Sequence, residues 1–455
     1  MSAPFMLSDI ATLTRGHRVG ADRPVTRVST DTRNLQEGDL FVALRGERFD
    51  AHDYLEQARL AGALAAVVER PTTAFADYVQ VTDSRRALGE LAAGWADRFA
   101  LRRVAVTGNA GKTTVKEMIA VMLGEQTLAT RGNLNNDIGV PLTLLSIDDQ
   151  HRYGVFELGA NAPGEIAWTS QLVKAQVGLI TNVTGAHLEG FGTLQGIAEA
   201  KAELFAGMAR GGTAIINLDD SFADFFAAQA RQAGLQLLRT GQVEGADLLA
   251  TDIQAGADQV RFTLSHAGEQ WPVLVPLPGR HQVSNALQAL AAALASGVSL
   301  AVAIQRLALL KPVPGRVNRM ACGNGLLIDD SYNANPGSVR VAIELLAASP
   351  GPRMLVLGAL AELGPQAADI HASLGQAARE AGIEKLVCYG ALTAHTVAAF
   401  GVGAQQVDTH DAAAREAQSI LDEGGTVLVK GSRSAGMDAV VASLRDGGRA
   451  MGGAH

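Results

Sequence analysis

The chain has 455 residues, a length that suits about three domains. Hydrophobic residues make up 47% and glycines number 50, which points to a glycine-punctuated α/β protein and excludes disordered and fibrous classes. Lys and Arg total 38 against 46 Asp and Glu, a formal charge of −8 with no basic run, so no nucleic-acid partner is expected, while a local basic pocket for a small anion stays compatible.

Cys322 and Cys388 lack CxxC or metal-ligand spacing and sit beside apolar strand-like runs, so they read as core residues in a reducing compartment. The start, "MSAPFMLSDIATLTRGHRV", has neither a positive leader nor a long apolar region. No stretch reaches the roughly eighteen apolar residues of a membrane span. A cytoplasmic protein without membrane insertion is expected.

Residues 1–85 alternate short strands and helices: "RVSTDTRNLQEGDLFVALRGERFD" reads as strand, turn, strand, and "AHDYLEQARLAGALAAVVE" as a helix feeding a strand. They predict a small N-terminal α/β domain. The helical "SRRALGELAAGWADRFA" leads into a central domain, 86–312, where "VAVTG", "YGVFELGA", "VGLITNV" and "GTAIINLDD" are apolar runs with polar or glycine ends. That alternation predicts a mostly parallel sheet whose ligands gather at the strands' carboxyl ends. Residues 246–278 instead suggest antiparallel strands at an edge. After the linker-like "KPVPGRVNR", the runs "GLLIDDSYNANPGS", "RMLVLGALAELG", "KLVCYG" and "TVLVKGSR" predict a third, open-sheet α/β domain over 313–455.

The string "TGNAGKTT", residues 107–114, does not have the spacing G-x-x-x-x-G-K-[ST], because counting back from Gly111 puts the first glycine at Val106. Its flanks nonetheless read strand, glycine loop, helix: "LRRVAVTG" ends a buried strand, and Val115, Met118, Ile119 and Met122 recur at helical spacing. A helix N-terminus offers unpaired N–H groups and a positive dipole end, and glycines admit close approach of phosphate oxygens. The stretch Gly108, Asn109, Ala110, Gly111, Lys112, Thr113 and Thr114 therefore reads as a phosphate loop of variant spacing. Lys112 supplies a mobile charge and Thr113 a hydroxyl for Mg2+.

Glu157 ends a strand, and His187 follows another in "TNVTGAHLEGFG", so both are expected at the phosphate-loop face, where they can complete a Mg2+ site. A helix-cap acid and a satisfied loop histidine are the plainer alternatives. Lys201, between Glu199 and Glu203 in "IAEAKAELF", reads from composition as a surface lysine. His281 and Asn285 stand at i and i+4 on one helix face; Asn285 can bond an adenine edge, and a solvated pair is the plainer reading. "DDSYNANPGS" is polar enough to grip ribose hydroxyls, with a ligand-free capped turn as the alternative. In "VKGSR", Lys430, Ser432 and Arg433 can bind a carboxylate.

Taken together, "TGNAGKTT", "GNLNNDIGVP", "ELGA", "TNVTGAHLEGFG", "AKAELF", "GRHQVSNALQA", "PGRVNR", "DDSYNANPGS" and "KGSR" occur in the order found in the Mur ligases. The chain thus resembles this family of ATP-dependent amide-bond-forming enzymes of peptidoglycan precursor synthesis over essentially its whole length. The resemblance implies a UDP-substrate domain, a central P-loop ATPase-like domain and a C-terminal Rossmann-like domain for the incoming amine and part of the ATP site. "DDSYNANPGS", "GNLNN" and "KGSR" resemble the member that joins D-alanyl-D-alanine to UDP-N-acetylmuramoyl-tripeptide. The D-N-P-R string usual in the diaminopimelate-adding ligase does not occur.

Carried over by position, the resemblance puts Lys112 on ATP phosphates, Thr113 and Glu157 on Mg2+, and His187 on a second Mg2+. Lys201 matches a lysine that family members carbamylate, so the match overrides its surface reading and adds it to the metal site. Asn285, Arg316, Asp330, Asn333 and Asn335 match nucleotide-holding positions. Ser29, Asp31 and Arg33, the "ALRGERFDAHDY" stretch, and Asn135 and Asn136 match the region that holds the UDP-sugar. Two departures stand out: Asn109 where serine is frequent, and Ala359-Leu360 where an Asp-Met pair is usual.

The implied chemistry is transfer of the ATP γ-phosphoryl group to a carboxylate and attack of the dipeptide amine on the acyl phosphate. The implied partners are these small molecules alone, with the chain acting as a monomer and its domains closing on ATP and the UDP-substrate. Rival readings are another amide ligase of the family, diaminopimelate- or lysine-adding, and a P-loop kinase or nucleotide switch.

Overall fold

The computed structural model describes residues 5–46, 49–184 and 191–451. At its centre the strand Arg102–Thr107 lies between two parallel partners, Tyr153–Glu157 and Val177–Ile180. Helices cover both faces of this sheet, so alternate residues serve different cores. Val104 and Val106 join a cluster with Met118, Ile119 and Leu290, whereas Ala105 joins one with Ile166, Leu204 and Phe226. Burial on both sides is why the strand reads as a continuous apolar run.

Among the described residues the central sheet has nine strands. Six neighbouring strands, from Thr127–Ala129 at one edge to Gln236–Gly241, run parallel, and Leu248–Ala255 extends them. Val260–His266 and Glu269–Val275 then add two antiparallel strands, as the pattern of 246–278 predicts. The N-terminal sheet has five strands among the described residues, four of them parallel, with His17–Val19 antiparallel at one edge. The helix Ser84–Ala96 joins the two units: Leu88 and Leu91 enter the N-terminal core, and Ala92 and Ala96 the central one.

The C-terminal sheet has six strands among the described residues. Four are the runs predicted from sequence. The other two, Asn318–Cys322 and Ala404–Val407, are edge strands. With one side unpaired and little apolar content, such strands carry no periodic signal. Gly325–Asp330, Thr426–Lys430 and Arg353–Gly358 lie side by side and parallel. Chain order reverses there, so their carboxyl ends open a crevice. No helix among the described residues is long and apolar enough to cross a membrane.

Candidate active site

The strand Arg102–Thr107 leads into a loop that only glycine can trace at two points. Gly108 has φ +133°, and a Cβ there would lie 2.0 Å from Thr181 Oγ1. Gly111 has φ +81°, with its missing Cβ 2.8 Å from Asn285 Oδ1. Both conformations lie in the region that L side chains avoid. The neighbouring strand end clips the loop in place: Thr181 Oγ1 and Asn182 Nδ2 donate to the Ala110 carbonyl at 2.7 and 3.1 Å, and Ala110 N donates to Asn182 Oδ1 at 3.0 Å. Lys112 opens the helix Lys112–Leu123, and its Nζ folds back to donate to the Gly108 carbonyl at 2.8 Å. Burial holds the Lys112 pKa down, with Glu157 opposing and Arg316 reinforcing the shift.

Thr113 Oγ1 donates to Glu157 Oε2 at 2.9 Å and accepts from Arg316 Nη2 at 3.2 Å. Asn135 Nδ2 donates to the other Glu157 oxygen at 2.8 Å. A buried carboxylate beside a hydroxyl is a set of hard oxygen donors of the kind Mg2+ takes together with phosphates and waters. Among the described residues no cluster of three or more His, Cys, Asp or Glu could hold a metal by itself. His187, the expected further ligand, lies outside the described residues.

Lys201 is not a surface residue: only 1% of it is exposed, and its Nζ sits 5.5 Å from the centre of the Phe191 ring. Its helix, Leu194–Ala206, packs against Glu165–Val173 and the central sheet. Tertiary packing turns inward a face that composition assigned to solvent. Burial first, and repulsion from Lys112 second, bring the Lys201 pKa down to about 7 against the pull of Glu165 and Glu203.

Asn285 is buried as well, on the helix His281–Ala295, where its Nδ2 donates to Gln282 Oε1 at 3.0 Å. Burial and Lys430 bring the pKa of nearby His281 to about 4. The solvated reading therefore fails for Asn285, whereas His281 is half-buried and lines the cleft.

The C-terminal domain closes the other side. Arg316 lies 4.4 Å from the Tyr332 ring centre, and Asn335 Nδ2 donates to the Asn109 carbonyl at 3.4 Å. Asn335 Oδ1 also caps the helix Pro336–Ala347 by accepting from Ser338 N at 2.8 Å. Lys430 is buried, with its Nζ 2.5 Å from Asp330 Oδ2 and 3.1 Å from the Asn333 carbonyl. Arg433 N donates to Asn333 Oδ1 at 3.2 Å, and Ser432 Oγ to the Ala359 carbonyl at 2.6 Å.

One cleft of about 840 Å³ takes in the phosphate loop, Asn135, Asn136, Glu157, Asn285, Arg316, Asp330, Asn333, Asn335, Lys430, Ser432 and Arg433. Gly108 and the buried Lys201 do not line it, and neither do Ser29, Asp31 and Arg33, which form a local network in the N-terminal domain, where Arg33 holds the Asp31 pKa down to about 2. Sequence reasoning missed Asn182, Asn217, Asp219, Asp220 and Glu362, which also line the cleft. A usable signal existed for them: they lie at or just beyond the carboxyl ends of parallel strands.

Comparison with known proteins agrees with this architecture. Residues 106–293 match the Mur ligase middle domain, 315–433 the Mur ligase glutamate ligase domain, and 24–96 the Mur ligase family catalytic domain. The chain belongs to the Mur ligase family.

Among Mur ligases it is 44% identical to the UDP-N-acetylmuramoyl-tripeptide--D-alanyl-D-alanine ligase of Escherichia coli (strain K12), over 97% of this chain and 98% of that protein. A crystal structure of MurF from Acinetobacter baumannii superimposes with a TM-score of 0.92 at 35% identity, covering 97% of this chain and 99% of that one. The MurF ligase of Thermotoga maritima in complex with ADP gives 0.81 at 28% identity, covering 94% and 99%. This Mur ligase accordingly has the three-domain architecture of those structures.

Proposed function

We infer that this Mur ligase uses ATP to join D-alanyl-D-alanine to UDP-N-acetylmuramoyl-tripeptide, giving the UDP-N-acetylmuramoyl-pentapeptide precursor of peptidoglycan, ADP and phosphate. The observation that carries the reading is the single cleft in which a glycine phosphate loop meets the strand ends of the C-terminal sheet, in a chain alike over almost its full length to ligases of that name.

The tripeptide's terminal carboxylate is a poor electrophile. Phosphoryl transfer from ATP makes it an acyl phosphate and releases ADP; the dipeptide amine adds to the acyl carbon, the C–O bond to phosphate breaks, and the amine's extra proton is lost. Loop N–H groups and Lys112 stabilise charge on the phosphoryl oxygens. Glu157 and Thr113 would hold one Mg2+, with Lys201 joining that metal site, and His187 would hold a second Mg2+; the ions, when bound, would neutralise charge on the transferring group. Lys201 fits carbamylation because a buried amine is pushed toward its neutral, nucleophilic form. Asn285, Arg316, Asp330, Asn333 and Asn335 hold the nucleotide.

Ser29, Asp31, Arg33, Asn135 and Asn136 bind the UDP-substrate, and Ser432 and Arg433, beside Lys430, face the dipeptide carboxylate. Domain limits of 1–85, 86–312 and 313–455 accompany this division of labour, in a cytoplasmic monomer.

The test is phosphate release from ATP and Mg2+ with UDP-N-acetylmuramoyl-tripeptide, with and without D-alanyl-D-alanine, and the product's mass. Dipeptide-dependent release with a pentapeptide product is expected. Release that follows another amine would retain the family and overturn the substrate.

A further inference from the structure

His371 lies in the interior of the helix Ala367–Glu380, fully buried and away from the cleft lining. A buried imidazole needs partners for both nitrogens, and it has them. Leu360 N lies 3.3 Å from Nε2, and Thr396 Oγ1 lies 2.9 Å from Nδ1. A backbone N–H can only donate, so Nε2 is the lone-pair acceptor and Nδ1 carries the proton, donated to Thr396. Burial and neighbouring His395 hold the ring's pKa down to about 4, consistent with a neutral ring.

Leu360 lies in the loop that begins at Ala359, after the strand Arg353–Gly358, and the residues that follow it, Ala361, Glu362 and Leu363, line the cleft. The loop is held from three sides: Ala359 N donates to the Tyr389 carbonyl at 2.9 Å, Ser432 Oγ donates to the Ala359 carbonyl at 2.6 Å, and His371 accepts from Leu360. Glu362 has φ +61°, a left-handed turn that a non-glycine residue keeps only when its surroundings enforce it. Residues 359 and 360 are Ala and Leu, so neither offers a polar side-chain atom with which the loop could anchor itself. At Leu360 the hold comes from behind, through His371.

A dipeptide acceptor is a zwitterion, and the C-terminal lip brings an acid, Glu362, and a base, Arg433, to the same cleft. We propose that His371 is a positioning residue for the incoming dipeptide: by accepting from Leu360 N–H it sets the 359–363 loop that forms the dipeptide's side of the cleft. The proposal rests on the ligase reading above.

The experiment compares His371→Leu, His371→Gln and Thr396→Val in the full chain, with KM measured separately for D-alanyl-D-alanine, ATP and the UDP-tripeptide. Leu fills the space and leaves the Leu360 N–H unpaired, whereas Gln keeps an acceptor near the Nε2 position. His371→Leu is expected to raise the dipeptide KM about tenfold while the other two KM values move less than about twofold, and His371→Gln to recover most of the loss. Thr396→Val, which removes only the orienting partner, is expected to raise the dipeptide KM about threefold and keeps the test open if His371→Leu does not fold. Equal rises in all three KM values, a fall in kcat alone, or Gln no better than Leu would overturn the proposal. Wild-type enzyme that ignores the dipeptide would instead overturn the ligase reading.

Discussion

The Thr113 hydroxyl donates to the Glu157 carboxylate at 2.9 Å across 44 residues of sequence. The contact exists because Glu157 ends the strand Tyr153–Glu157, paired in register with Arg102–Thr107, and Thr113 sits in the first turn of the helix that follows. Two parallel strands ending level thus put an acid beside a phosphate loop.

Glu157→Gln keeps the side chain's shape and removes its charge. The Mg2+ concentration for half-maximal activity is expected to rise about tenfold or more, with little change in melting temperature. A Mg2+ titration of phosphate release checks this, and an unchanged requirement would take Glu157 out of the metal site.

Lys112→Ala is expected to lower kcat/KM by about a hundredfold to a thousandfold, because a charge aimed at the phosphoryl oxygens is lost. Steady-state kinetics with all three substrates reads the effect. Near-normal turnover would mean that the loop binds phosphates through its backbone alone.

Lys201→Ala is expected to lose most activity and to regain part of it when a small carboxylic acid such as acetate is added, since the acid can stand in for a carbamate. In the wild-type chain, labelled bicarbonate should give a carbamate carbon signal that Lys201→Ala lacks. Carbon NMR decides the point: a wild-type spectrum without that signal would leave the buried lysine as a plain amine.

Gly108→Ala asks for a Cβ 2.0 Å from Thr181 Oγ1 at φ +133°. It is expected to destabilise the central domain by about 2–3 kcal/mol and to abolish measurable ATP binding. Calorimetric ATP titration and thermal unfolding check the two effects separately.

Both cysteines are buried, and burial pushes the Cys388 thiol up to about 12. Native protein at pH 8 is expected to react slowly with a thiol reagent, and unfolded protein to titrate two thiols. Fast native labelling would contradict the packing of the C-terminal core.

Much of this protein was legible without coordinates. The phosphate loop could be read despite its spacing, because strand, glycines, lysine and helix periodicity are all local in the chain. The antiparallel edge at 246–278 and the core cysteines were legible for the same reason. Lys201 and Asn285 were not. Their bland readings came from helix faces whose neighbours arrive from elsewhere in the sequence, and only the family likeness overrode composition for Lys201.

What the sequence determined by itself was which strands end in polar residues and which loop can hold phosphate, since backbone propensity and side-chain alternation act over a few residues. Tertiary structure alone decided that Arg316 reaches Thr113, that Asn335 touches Asn109, that Lys430 is spent on Asp330, and that His371 stands behind Leu360. These contacts depend on sheet order and on the docking of one domain against another. Burial then changes what each polar group can do, by removing the water that would otherwise satisfy it.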